Sequence, residues 1–218
     1  MQFLISVTND SHLKHASTIC NMMADAAQVR GTGIAQRKPE YIRKKMIEGN
    51  AIISLDKQNP IGFCYIESWD NQKYVANSGL ITHPDYRKTG LAKAIKKATF
   101  DLSKKKFPNA KLFGITTSMA VMKINSSLGY QPVTFSELTQ DKNFWKGCES
   151  CANYDILQRT KKTMCICTGM VCDLRKITPH NQNPAWGGFK KFIKQRKIRI
   201  QSKSKQFPKL NKIINHEK

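Results

Sequence analysis

Apolar side chains at Leu13, Ala16, Ile19, Cys20, Met23 and Ala27 recur at helical spacing and predict a helix over residues 11–28, with Asp10 or Ser11 as its cap. The segment VRGTGIAQR that follows reads as a loop, because two glycines flank a threonine. Pro39 suits the first turn of a short helix, PEYIRKKMIEG, ended by Gly49. Three strands are predicted next. AIISL (51–55) and IGFCYIES (61–68) are joined by the hairpin-type turn DKQNP, and YVANSGLI (74–81) follows a second polar turn. Leu91, Ala94, Ile95, Ala98 and Leu102 then place one apolar stripe along a helix of about four turns, which Phe107, Pro108 and Asn109 stop. KLFGIT (111–116) reads as a buried strand, residues 118–128 as a short helix and GYQPV as a last strand. The order is helix, helix, three strands, helix, strand, helix, strand: an α/β chain with a central sheet flanked by helices.

From about Asp141 this periodicity gives way to Cys-rich sequence interleaved with aromatics, and after Lys176 to sequence rich in Asn, Pro, Gly and then Lys. Three regions are expected: a folded domain over 1–140, a Cys-rich extension over 141–175 and a basic tail over 176–218. The 218 residues suffice for one well-buried core and a small appendage. No stretch approaches the roughly 18 to 20 apolar residues of a membrane span, and the N-terminus lacks a basic region or cleavage site, so a cytoplasmic protein is expected.

Charge is unevenly spread. Residues 176–218 hold twelve Lys or Arg against one Glu, which is half of the net charge of +22. The moderately basic remainder suits an anionic cofactor or an acidic substrate, whose approach a positive field steers. The tail, with Phe189, Phe192 and Ile193 at helical spacing among basic residues, offers nucleic acid or an acidic partner a docking segment, or is a solvated, partly disordered end. Seven cysteines, an odd number, argue against a secreted disulfide framework. Cys148 and Cys151, then Cys165 and Cys167, form two close pairs suited to a tetrahedral structural zinc ion. Free thiols and a redox pair are the other readings.

The hexapeptide Arg87-Lys88-Thr89-Gly90-Leu91-Ala92 lies between a strand and the most amphipathic helix. Helix-start N–H groups without intrahelical partners, the helix dipole and a basic neighbour make such a junction an anion site, although an ordinary turn has the same sequence features. Gly90 allows close approach of a phosphate, and Ala92 keeps the next position small.

The wider run LITHPDYRKTGLAKAIKKA resembles motif A of the GNAT acetyltransferases, Arg/Gln-x-x-Gly-x-Gly/Ala after Val-x-Pro-x-Tyr/Phe. Pro84, Tyr86, Arg87, Gly90 and Ala92 match, and Thr82 departs from the usual Val. NSSLGYQPV resembles the end of motif B, and the likeness covers about residues 10–140. KLFGITT and GYQPVTFSELTQD are similar to the GNAT domain of N-acetylglutamate synthases. VRGTG and FWKGC are similar to stand-alone versions in bacterial arginine biosynthesis. The 218 residues leave no room for the amino-acid-kinase domain that many such enzymes carry.

The resemblance implies an acyl-CoA-dependent N-acyltransferase, most specifically one that acetylates or succinylates glutamate. A GNAT acting on protein or ribosomal amines, and a zinc-bearing nucleic-acid module on a non-catalytic fold, are the alternatives. It places the cofactor at 87–92 and on the backbone of the splayed fourth strand, near Leu80 and Ile81. Glu67 is the candidate base. Asn125 stands where many members have the tyrosine that protonates the leaving thiolate; it implies a cofactor contact, and proton transfer through water or another group. Arg30 and Arg37 flank the glycine-threonine-glycine loop on the acceptor side, where bidentate guanidinium groups suit the carboxylates of an amino acid.

Overall fold

The structure, a computed structural model, describes residues 4–30, 37–151 and 153–176. The glycine-threonine-glycine loop and the basic tail, with the nucleic-acid docking read from it, lie outside the described residues. Seven strands form one sheet in the order β1-β2-β3-β4-β5-β7-β6. They are β1 (Leu4–Val7), β2 (Ala51–Asp56), β3 (Asn59–Trp69), β4 (Tyr74–Thr82), β5 (Lys111–Thr116), β6 (Gln131–Val133) and β7 (Thr168–Asp173). All neighbouring pairs are antiparallel except β4–β5, which the crossover helix α3 (Leu91–Lys106) connects in parallel.

The sheet is covered on both faces, which is why residues 60–66 of β3 are buried without interruption. Strand alternation sorts them. Ile52 and Cys64 pack with Leu91 and Ile95 of α3 on one face. Ile53, Phe63 and Tyr65 pack on the other with α1 (Ala16–Arg30) and α2 (Pro39–Ile47). The six predicted helices and strands from residue 51 to 128 appear within one to three residues of their expected ends. The first helix begins differently: Asn9, not Asp10 or Ser11, accepts the cap hydrogen bond from the Ser11 N–H at 3.1 Å, and residues 10–15 form a 3₁₀ turn ahead of α1.

Two strands were absent from the sequence reading. β1 is a four-residue edge strand whose pattern of exposure carries no alternation of apolar and polar residues. β7 inserts between β5 and β6, pairing Thr116 with Thr168 and Lys111 with Asp173 on one side, and Val133 with Gly169 on the other. Residues 141–176 therefore do not stand apart as an appendage; they complete the sheet, and the chain through Lys176 is one compact unit. α4 (Met119–Ser127) links β5 to β6, and α5 (Lys142–Lys146) and α6 (Tyr154–Arg159) precede β7. Trp145 and Leu157 of these last helices bury themselves against Ala76 and Phe113 on the face that α1 and α2 leave uncovered. The Trp145 indole N–H donates to the Thr139 carbonyl at 2.9 Å, so this apolar anchor also satisfies its polar edge.

Phe113 is the hub of that layer, fully buried, with the rings of Trp69, Tyr74 and Phe144 centred 5.4, 5.9 and 4.9 Å away. Phe113→Ala is expected to lower stability by about 3–5 kcal/mol. Urea unfolding should show this as a reduced midpoint with an unchanged slope; a loss under about 1 kcal/mol would mean the layer is not packed as described.

Candidate active site

β4 and β5 pair only from Tyr74 to Ala76 against Lys111 to Phe113. Beyond Ala76 the two strands part, β5 continuing along β7 and β4 along β3. A bulge sharpens the parting: Phe63 opposes Ile81 and Tyr65 opposes Ser78, so Gly79 and Leu80 stand against Cys64 alone. Gly79 has φ of +63°, and a Cβ there would lie 2.4 Å from Tyr65 Cε1 and 2.9 Å from Met23 Cε, so glycine is required on both counts. A cavity of about 450 Å³ opens at this gap, bordered by Asn77–Leu80 on one strand and Gly114–Thr116 on the other.

On the sheet face between α2 and the aromatic layer, four polar side chains converge in the cavity: Arg37, Tyr41, Tyr65 and Glu67. Glu67 projects from β3, one alternation beyond Tyr65. The Tyr41 phenol, from the first turn of α2, donates to the Glu67 carboxylate. Arg37 Nε donates to the Tyr65 phenol oxygen at 2.7 Å, and the Arg37 guanidinium stacks 5.8 Å from the centre of the Tyr41 ring. Burial, followed by the Glu67 charge, pushes both phenols far above their ordinary range, so both remain protonated donors at neutral pH. Burial opposes the Arg37 charge, but Tyr65 and Glu67 outweigh it and the guanidinium stays ionised. A fixed cation and a carboxylate thus share one cavity.

The expected phosphate loop lies outside this lining. Arg87, Lys88, Thr89 and Gly90 are exposed ahead of α3, while Leu91 is buried in the core and Ala92 half-buried. Gly90 caps the helix with φ of +92°, and a Cβ there would meet nothing within 4 Å, so the conformation demands glycine while the space before it is open. Lys88 also adopts a left-handed φ of 63°, and the Thr89 hydroxyl donates to the Tyr86 carbonyl at 2.7 Å, fixing the turn. Leu80 lines the cavity; Ile81, its neighbour, is packed into the core beneath α1.

Asn125 is buried against Met170, its amide nitrogen 3.7 Å from the sulfur and its Oδ1 without a partner, and it is not among the cavity-lining residues. Arg30 is the last residue of α1, and its side chain lies outside the described residues. The zinc site expected from Cys148, Cys151, Cys165 and Cys167 has no support: among the described residues, no three His, Cys, Asp or Glu side chains are disposed to hold a metal ion. The short spacings do gather the four cysteines on one cavity wall. There Cys148, Cys165 and Cys167 pack against the aromatic layer as apolar groups. Burial, then the neighbouring cysteines, pushes the Cys148 thiol up to about 11 and the Cys167 thiol up to about 12.

Sequence reasoning missed Tyr41, Tyr65 and Lys96. The available signal for the first was its place four residues after Arg37, at the start of a helix; Tyr65 lies in a run that reads as core, and Lys96 in one that reads as solvated charge. No known family profile matches the sequence, and no curated protein is significantly similar to it. Solved structures do match. N-acetylglutamate synthase from Neisseria gonorrhoeae, complexed with coenzyme A and N-acetyl-glutamate, superposes with a TM-score of 0.56 at 14% identity over 80% of this chain. This chain spans 35% of that protein's length. A GNAT superfamily phosphinothricin acetyltransferase from Sinorhizobium meliloti, in complex with AcCoA, gives 0.55 at 13% identity over 83% of this chain and 93% of its own. The chain has the GNAT fold. The ribosomal-protein-S18-alanine N-acetyltransferase from Escherichia coli shares it, at 0.50 and 13% identity over 82% of this chain and 98% of its own. Among the described residues, no helix is long and apolar enough to cross a membrane.

The thiol wall gives a direct check of burial, since only the thiolate is nucleophilic. At pH 8, Cys148 and Cys167 should label with iodoacetamide at least roughly a hundredfold more slowly than a free cysteine, and the rate should climb as pH rises toward 11. Fast labelling at pH 8 would contradict the packing, and slow labelling that a chelator makes fast would reveal a bound metal.

Proposed function

We propose that the protein is an acyl-CoA-dependent N-acyltransferase whose acceptor is a free amino acid bearing a second carboxylate, glutamate before others, with acetyl or succinyl as the acyl group. Such a reaction belongs at the entry to arginine biosynthesis. The observation that carries the acceptor assignment is the Arg37–Tyr65 pair sharing a cavity with Glu67. A guanidinium fixed in the cavity wall beside a neutral phenol suits a substrate carboxylate, and its bidentate geometry favours carboxylate over other anions. Fold similarity to N-acetylglutamate synthase is in keeping with this acceptor.

The chemistry follows from three groups. Glu67, held in place by the Tyr41 phenol, accepts the proton that the acceptor nitrogen loses as it attacks the thioester carbon. The bulged backbone of Asn77–Leu80, freed from pairing with β5 by the gap, offers N–H groups to the oxygen that gains charge. The exposed helix start at Gly90 holds the pyrophosphate, with Arg87 and Lys88 beside it. Seven free cysteines fit the reducing cytoplasm.

Steady-state turnover with acetyl-CoA and succinyl-CoA against a panel of free amino acids tests the assignment. Glutamate should be the best acceptor. Arg37→Ala should raise its KM about 10- to 150-fold, the loss of one charge-assisted pair worth roughly 1.5–3 kcal/mol, with the acyl-CoA KM nearly unchanged. Acylation of basic peptides, steeply weakened by salt, with no turnover of glutamate would overturn the reading in favour of a protein substrate. Gly90→Val should lower CoA affinity at least roughly tenfold by calorimetry while the fold persists, because its side chain enters the open space and strains a left-handed φ. Unchanged affinity would remove the loop from the site.

A further inference from the structure

Thirty-seven lysines and arginines serve this chain, and nearly all the described ones reach solvent. Lys96 does not. It stands on α3, only 3% exposed, yet it lines the cavity on the opposite side of the sheet from its own helix. Its Nζ donates to the Asn77 carbonyl at 3.2 Å, the first carbonyl of β4 beyond the last residue paired with β5. The ammonium therefore sits at the apex of the gap between the strands. Its other contact is the face of Tyr130, 5.5 Å from the ring centre.

No carboxylate balances this charge among the described residues. The titratable groups facing Lys96 are Cys64 on β3 and Tyr130 ahead of β6, with Cys172 of β7 against Tyr130. Burial pushes all three upward, so they are neutral at physiological pH and supply no counter-charge. Burial likewise pulls the Lys96 ammonium down, which makes it a readier acid. A buried cation without a partner is costly, and an apolar side chain of the same length would fill the space more cheaply. The charge is suited to an anion that arises in the gap during turnover.

We propose that Lys96 is the proton donor to the sulfur that leaves coenzyme A. This rests on the acyltransferase reading above. As the acceptor nitrogen bonds to the acyl carbon, the carbon–sulfur bond breaks and its electron pair stays on sulfur. The Lys96 Nζ–H proton passes to that sulfur, giving the free thiol, while Glu67 holds the proton from the acceptor. Lys96 then recovers a proton from water before the next turnover. The role falls to α3 because Asn125 has no acidic proton and does not line the cavity.

Coenzyme A itself is the probe. Its thiol, titrated by the ultraviolet absorbance of the thiolate while bound to the full-length protein, should ionise about one pH unit or more below the free thiol, because a cation stands beside it. Lys96→Met and Lys96→Gln should both bind coenzyme A and both abolish that lowering; kcat should fall about a hundredfold with the acceptor KM unchanged. Gln retains a hydrogen-bond donor for the Asn77 carbonyl, so recovery of the lowered thiol value and of turnover in Lys96→Gln would show a purely structural role and overturn the proposal. A bound thiol that ionises normally in the unaltered protein would overturn it without any variant. A loss of turnover confined to succinyl-CoA would also overturn it, since the cation would then read the acyl carboxylate. Failure of coenzyme A to bind at all would instead refute the acyltransferase reading.

Discussion

The site depends on one event in the sheet: after Ala76, β4 stops pairing with β5. Continued pairing would satisfy the strand amides and carbonyls but leave no passage through the sheet. Parting frees those groups, and a free buried backbone group is costly unless something else meets it. The chain meets it from both sides. The bulge at Gly79 and Leu80 turns the β4 backbone, and Lys96 reaches through from α3 to the Asn77 carbonyl. The sheet continues past the gap because β5 pairs on its other edge with β7 from Lys111 to Thr116.

This explains why the Cys-rich segment matters to the cavity. Its aromatic residues close over Ala76 and Phe113, and its cysteines form the far wall of the cavity whose near wall carries Arg37 and Tyr41. The sheet face is thus divided between two covers, α1 with α2 and the segment from Phe135 to Cys167, and the polar cluster lies in the seam. A carboxylate, two phenols and a guanidinium in a seam lined with apolar surface are held in few rotamers, which favours a defined acceptor orientation over broad binding.

The helices and strands from residue 51 to 128 were legible because their apolar residues follow single periods, and the Gly90 turn because a left-handed cap before an amphipathic helix has a distinctive composition. β7 was not legible. Thr168–Asp173 holds only three apolar residues in a row and gains its strand form from pairing with β5 and β6, a long-range cause that local pattern does not carry. Metal ligation was inferred from cysteine spacing, which brings sulfurs together whether they hold an ion or pack against aromatics. Lys96 was hidden because its neighbours Lys93 and Lys97 make it read as one more solvated charge, and only the gap behind it shows otherwise. Glu67 and Arg37 were found as residues, but their phenol partners Tyr65 and Tyr41 were not, since the hydrogen bonds cross from strand to loop and helix.

One coenzyme A molecule is expected to span the Gly90 helix start and the parted β4 backbone. Amide chemical-shift mapping of the isotope-labelled protein during titration with coenzyme A tests this most directly. The largest shifts should fall together on residues 89–92 and 77–80, saturating at one equivalent along a single binding curve. Shifts confined to one of these two segments, or spread over the surface without saturation, would contradict it.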